Sequence, residues 1–349
     1  MAKISVIIPL YNQGHFLKDS VKSLREQSFQ DWEGIIVNDG STDDSLHQAE
    51  ECILGDRRFK IVDRSNGGLA AARNTGLRHA VGKYIALLDS DDYLLPHHLS
   101  HLMSVMESAP DAVVTVGRTQ ETNEQFIPIG KFRLKDNNLQ EDRLSESLLR
   151  ANPLGRIVWN NPSVTCSQLW RGDFLSQNHY DESLRSNEDW DILWRAANLK
   201  HQVSCCGEVV SYYRRHGDSL NWNIEQMIRS RMAAYWKNSK YLGESSIERK
   251  CADLSTVLSL MPLSSDSPHR HGVRDEFEYH VENLYDILGD KMISRFAILW
   301  CCGALRRNRL TRDHVHYKLW WELTKILMSC HATYVIGARS AYERLRYSR

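Results

Sequence analysis

Through residues 3–117 the chain alternates short, β-rich apolar runs with segments of helical period, and few folds accept that alternation. KISVIIPL (3–10), EGIIV (33–37), FKIVD (59–63), KYIALL (83–88) and DAVVTVG (111–117) read as strands. HFLKDSVKSLREQ (15–27), STDDSLHQAEECI, GGLAAARNTGLRHA (67–80) and PHHLSHLMSVMESA (96–109) read as helices. Ser41 or Thr42 is placed to cap the second of these, and Pro96 suits the first turn of the last. Strands separated by helices at this pitch make βαβ units, hence an α/β fold with a mostly parallel sheet covered on both faces. In such sheets ligands sit beyond the carboxyl ends of the strands. Those ends read PLYN, NDGSTDD, DRSNGG and DSDD, and three of the four are rich in carboxylate or glycine.

Beyond residue 117 the pattern blurs to about residue 160, where LKDNNLQEDR reads as a long loop or excursion. SVTCSQLWR (163–171) is strand-like, NEDWDILWRAANL (187–199) a helix with an acidic first turn, and EVVSYYRRH (208–216) a last strand. After Asn221 the period is helical throughout, so the chain divides into a 1–220 α/β domain and a 221–349 helical region. Charge divides it too: from Lys291 onward 12 Lys/Arg face 3 Asp/Glu, leaving 32 against 41 in the first 290 residues. No apolar run reaches the length of a membrane span, and the start leaves no room for a signal peptide. The eight cysteines show no C-x-x-C spacing, as expected of free thiols in a reducing cytosol.

Asp89, Asp91 and Asp92 crowd three carboxylates behind a buried strand, where unpaired burial would be costly. Either the turn is well hydrated and caps the next helix, or it offers hard oxygen ligands to Mg2+ or Mn2+. Asp39 ends the second strand ahead of Gly40, where an acid can accept from a nucleobase N–H. A plain turn with a helix cap accounts for Ser41 to Asp44 but leaves Asp39 without a role. In SNGGLAAARNTGL two glycines open a helix, which favours close approach of an anion, with Arg73 one to two turns inside. The stretch lacks the G-x-G-x-x-G and G-x-x-x-x-G-K-[ST] patterns, which argues against a dinucleotide fold and a P-loop. Glu188, Asp189 and Asp191 stand at a helix start, where the dipole alone stabilises carboxylates by about 0.3–1 kcal/mol each. The alternative is a general base at a helix mouth. His216, after the last strand, is a turn histidine or a ligand.

Together SVIIPLYNQGHFL, EGIIVNDGSTDDS, NGGLAAARNTGL, YIALLDSDDYLLP and NEDWDILWR resemble the family 2 glycosyltransferases of GT-A fold, over residues 3–218. The resemblance implies a donor such as a UDP-sugar, Mn2+ or Mg2+ as cofactor, and direct displacement with inversion. It places Pro9 and Tyr11 in the base pocket with Asp39 on uracil, Arg73 near the diphosphate, and Asp89 with Ser90 near the ribose. Asp91 and His216 would meet the metal, Asp189 would be the base, and Glu188 would shape the acceptor site. Asn38 departs from the aspartate often found there, so only Asp39 is carried over.

A catalytically inactive nucleotide-sugar-binding scaffold and a nucleotidyltransferase are the competing readings. The second lacks a basic activating loop near the N-terminus. The expected partners are the nucleotide sugar and a glycan or lipid-linked acceptor, with no nucleic acid. The basic amphipathic tail would pack on the catalytic domain or another subunit, or touch an anionic membrane from the cytoplasmic side.

Overall fold

The computed structural model describes residues 2–129, 154, 157, 161, 163–217 and 224–242. Eight strands form one sheet: β1 (Ile4–Leu10), β2 (Trp32–Asp39), β3 (Phe59–Arg64), β4 (Tyr84–Leu87), β5 (Tyr93–Leu94), β6 (Ala112–Thr122), β7 (Gln168–Arg171) and β8 (Gln202–Arg214). Their order across the sheet is β3-β2-β1-β4-β7-β6-β8-β5. Strands β3, β2, β1 and β4 run parallel, as the βαβ pattern requires. β7 enters antiparallel between β4 and β6, β8 lies parallel to β6, and β5 closes the edge antiparallel to β8.

Seven helices occur among the described residues: α1 (Gly14–Arg25), α2 (Ser45–Ile53), α3 (Leu69–His79), α4 (His98–Ser108), α5 (Gly172–Gln177), α6 (Glu188–Asn198) and α7 (Ile224–Ser239). One unit spans Met1–Asn238; of the remainder, which begins at Ser239, only residues 239–242 are described. No helix among the described residues is long and apolar enough to cross a membrane.

Every residue of β1 is buried, because helices cover both faces of the central strands. Each fully buried Ile or Leu there contributes about 1.5–3 kcal/mol. α3 lies unusually close to β1, since a Cβ on Gly76 would fall 2.4 Å from Cγ2 of the fully buried Ile7. Gly76→Ala should therefore destabilise. The helix-propensity gain of about 1 kcal/mol is outweighed by overpacking of about 1–3 kcal/mol, and a lowered urea midpoint at unchanged slope would show it. An unchanged midpoint would mean that Ile7 can give way.

Several local expectations need correction. Ser41 and Thr42 do not cap α2, whose N-cap is Asp44 without a side-chain cap bond. They hold the β1–α1 loop instead: Asn12 N donates to Ser41 Oγ (3.1 Å) and Thr42 N to Asn12 Oδ1 (2.8 Å). Pro96 precedes α4, its carbonyl accepting from Ser28 N at 2.7 Å. The SVTCSQLWR strand is halved, because Thr165–Ser167 forms a 3-10 turn ahead of β7. β8 starts six residues before the expected 208. Cys52, Cys166, Cys205 and Cys206 are free thiols, while Cys251, Cys301, Cys302 and Cys330 lie outside the described residues, as do most of the 118–160 excursion and the basic tail.

Candidate active site

The carboxyl ends of β1, β2 and β4 bring the motifs to one rim. Asp39, last in β2 and buried, accepts from Gly67 N (3.0 Å), Gly68 N (2.7 Å) and Arg64 Nη1 (2.9 Å). Its carboxylate thus shapes the glycine loop that opens α3. Gly40 makes the turn after it with φ +68°, and a Cβ there would lie 2.6 Å from Asn66 N, so no other residue fits comfortably. Asn38 donates to Asp63 Oδ1 at 2.6 Å, tying β2 to β3. Pro9 pairs with Val37 in the β1–β2 ladder, and Tyr11 stands exposed just beyond the strand end.

Each of the three crowded aspartates has its own partner. Asp89 Oδ1 accepts from Arg73 Nη2 at 2.8 Å. Asp91 Oδ2 lies 2.8 Å from His216 Nε2. Asp92 Oδ1 accepts the Arg214 backbone N–H at 3.0 Å. Asp92 is fully buried, and burial first, then Asp91 and Asp89, raises its carboxyl well above the ordinary range. Of the three acids, Asp92 is thereby the one least inclined to carry charge. Arg214 is clamped between Phe16 (4.7 Å) and Phe126 (4.1 Å) and paired with Asp19 at 2.7 Å, so the end of β8 holds His216 against the turn. Ser90 donates to Gln13 Oε1 at 2.8 Å.

Arg73 ties this turn to α6. Its guanidinium is buried, with Nη1 on Glu188 Oε1 and Nη2 on Asp89, and its flat face is 5.7 Å from the Tyr180 ring. The two carboxylates hold it charged, well above the ordinary arginine value, against the opposing effect of burial. Its neighbour Asn74 bonds both backbone groups of Tyr180 at 2.9 Å, fixing the segment that leads into α6. That helix begins after Asn187, which takes left-handed φ 59° and donates to Met227 O on α7. Asparagine tolerates this region better than most residues.

Glu188 and Asp189 lie side by side on the first turn. Burial raises Glu188 to about 6; Arg73 opposes the rise and the Asp189 charge adds to it. Asp189 is also raised, chiefly by burial. Its Oδ2 accepts from Asn161 Nδ2 at 2.7 Å and its Oδ1 from the Trp190 N–H at 2.8 Å. A partly exposed carboxylate with a raised pKa, held in one rotamer, is equipped to take a proton. Asp191 faces the other way: fully buried, it binds Arg195, Lys237 and Asn238 and locks α6 to α7.

Comparison with known proteins bears on this arrangement directly. Residues 5–151 match the family description "Glycosyl transferase family 2". Glycosyltransferase GlyG of Streptococcus pneumoniae is 35% identical over 224 residues, covering 62% of this chain and 72% of its own length. The chain belongs to glycosyltransferase family 2. Two solved structures share its fold. S. aureus TarS 1-349 in complex with UDP-GlcNAc has a TM-score of 0.57 at 18% identity, covering 88% of this chain and 89% of that one. The mannosyltransferase PcManGT of Pyrobaculum calidifontis, in complex with GDP-Man and Mn2+, has a TM-score of 0.58 at 13% identity, covering 97% and 88%.

In this family 2 glycosyltransferase the structure joins Arg73 to Asp89 and Glu188 by ion pairs, and Asp91 to His216 by another, with Asp189 adjacent to Glu188 in sequence. Asp39 organises a separate nucleus around Gly67 and Gly68. Both terminal nitrogens of Arg73 are engaged by carboxylates, Glu188 and Asp89. Sequence reasoning passed over Asn161, Asn74 and Arg185. Arg185 is exposed, and its Nη1 comes within 3.0 Å of where a Cβ on Gly68 would sit. Asn74 stands next to Arg73 in RNTG and carried a readable signal, a polar side chain facing inward from a sheet-packed helix. Asn161 and Arg185 carried none, because only the folded chain brings them to the rim.

Proposed function

We propose that this glycosyltransferase moves a sugar from a nucleoside diphosphate donor, with uridine as the nucleoside, to a hydroxyl of a glycan or lipid-linked acceptor, with inversion at the anomeric carbon. One observation carries the reading. Arg73 bridges Asp89 on the acidic turn and Glu188 beside Asp189, so a donor-side motif and a proton acceptor share one rigid site. In this reading Pro9, Tyr11 and Asp39 face the base, Asp89 and Ser90 the ribose, and Arg185 with the glycine loop the diphosphate. The uridine and acceptor assignments rest on the resemblance and on Asp39; the fold relatives bind UDP-GlcNAc in one case and GDP-Man in another. The basic tail from Lys291 supports an anionic or lipid-linked acceptor by its charge alone.

The donor set at the turn fits a divalent cation. Asp91 and His216 converge to 2.8 Å, one hard oxygen and one imidazole nitrogen, both fixed by neighbours. Mn2+ or Mg2+ held there would act as a Lewis acid for the departing phosphate. The rest is done by the protein. Asp189 takes the proton of the acceptor hydroxyl as its oxygen bonds to the anomeric carbon, while the bond from that carbon to the phosphate oxygen breaks on the opposite face. Asn161 and the Trp190 N–H keep the Asp189 carboxylate in register, and Glu188 and Arg73 set the charge around it. No protein nucleophile is needed, hence a single inversion.

A thermal-shift series with nucleotide sugars, with and without Mn2+, tests the donor. A UDP-sugar at a hundredfold excess over its dissociation constant should stabilise by about 2.7 kcal/mol, more weakly without the metal and in Asp91→Asn. Proton NMR of the product should then show the opposite anomer to the donor's. A product that retains the donor's configuration, or stabilisation by no nucleoside diphosphate sugar, would overturn the reading.

A further inference from the structure

The sequence PHHLSHL opens α4, and its histidines do two separate jobs. His98 is fully buried with Nδ1 3.1 Å from Val210 O, and burial lowers it to about 4, so it is a neutral donor to that carbonyl. His97 reads the preceding carbonyl, Nε2 to Val209 O at 3.0 Å. A carbonyl only accepts, so this nitrogen carries the proton and Nδ1 of His97 is left with its lone pair. Donation of the far N–H to a backbone carbonyl is how metal-binding histidines are commonly oriented.

Four residues on, His101 lies against His97, the rings tilted by 48° with centroids 4.5 Å apart. The third member comes from β8. Val116 pairs with Cys205 and Arg118 with Val209, so Gly117 alone faces Cys206, Gly207 and Glu208. This bulge throws Glu208 out of the ladder toward α4, with Oε2 2.9 Å from His101 Nδ1. One donor atom from each of His97, His101 and Glu208 lies within 4.8 Å of the others.

We propose that His97, His101 and Glu208 bind one borderline-soft divalent cation, Zn2+, at a site separate from the diphosphate rim. An exposed His–Glu ion pair is worth about 0–1 kcal/mol and explains neither the bulge nor the ring orientation of His97. Two imidazoles and a carboxylate form the three-ligand set that Zn2+ takes with a fourth, open position. Two imidazoles rather than one distinguish it from the Asp91–His216 pair at the turn, where the neighbouring carboxylates favour Mg2+ or Mn2+. In a tetrahedral site with bonds of about 2.0–2.2 Å the donors stand about 3.4 Å apart. The His101–Glu208 pair at 2.9 Å therefore opens a little while the wider separations, at most 4.8 Å, close, and Glu208 is exposed enough to swing. The cation takes the place of the direct contact between His101 and Glu208. Bound there, it clasps the start of α4 to the bulge of β8, one strand across from β7 and away from Asp91.

Cobalt titration of the chelator-treated full chain tests this. One Co2+ should bind with the visible ligand-field absorption of a four-coordinate ion, and Zn2+, not excess Mg2+, should abolish it. His101→Asn and Glu208→Gln should each weaken binding by more than about a hundredfold, beyond the 10–100-fold typical of losing an outer partner. Both should melt like the parent chain without metal, while Asp91→Asn keeps the absorption. Parental cobalt binding in both variants would overturn the proposal. So would loss of the absorption in Asp91→Asn alone, since the ion would then sit at the acidic turn.

Discussion

Asp189→Asn is expected to lower sugar transfer by about 10²–10⁴-fold, the usual worth of a positioned general base, while donor affinity and stability stay near those of the parent. The amide keeps the carboxylate's outline, and one oxygen can still accept from either Asn161 or Trp190. The other polar contact is lost, at about 0.5–1.5 kcal/mol. Against this, a carboxylate that burial has made harder to ionise is no longer present. These terms oppose, so the net change in stability should be small. The donor's thermal shift should survive as well, because in the proposed reading the nucleotide touches Asp39, Asp89 and the glycine loop. Release of nucleoside diphosphate on addition of acceptor, measured beside the thermal shift, separates the two effects. Activity within about threefold of the parent would rule Asp189 out as the base.

The same residue fixes the pH response. A base must be ionised, so transfer falls as pH drops through its pKa. Because Asp189 and Glu188 are both raised from their ordinary values, the acidic limb of kcat/KM should lie above that of an exposed aspartate. The limb reports the two neighbours together.

Sequence reasoning recovered the left half of the sheet almost strand for strand, and the reason is physical. In βαβ units period and pairing are local: a strand buried on both faces reads as an unbroken apolar run, and its helix follows at once. The right half depends on non-local pairing. SVTCSQLWR read as a strand, but only its last four residues form β7; β5, two residues long, is too short to show a period and forms only because β8 offers an edge to it. The site divides the same way. Asp39, Asp89, Asp91 and Glu188 stand at element ends, where unpaired acids are conspicuous. What could not be read was the pairing among them, notably that Arg73 spends its charge on Asp89 and Glu188, 16 and 115 residues away in sequence. A long-range ion pair leaves no periodic trace.

That pairing gives the second large effect. Arg73→Met should destabilise the folded chain by about 3–5 kcal/mol at neutral pH, the cost of breaking a buried ionic network by deleting one partner. Methionine nearly fills the space, so the loss of packing is minor; what remains is Glu188 buried beside Asp189 without a counter-charge. The pH dependence separates this from a merely steric effect. Glu188 is raised to about 6, so its contribution to stability is complete below the ordinary carboxylate range and is lost as pH rises through the raised value. Arg73 is the largest of the influences that hold Glu188 and Asp189 down. Without it both rise further, and the loss grows and reaches higher pH. Urea midpoints of the variant and parent should therefore lie close near the acid end and diverge toward neutrality. The acidic limb of residual activity should move to higher pH in step. A deficit constant across that range would mean that Arg73 acts by shape, and that the acidic turn and α6 are not joined by charge.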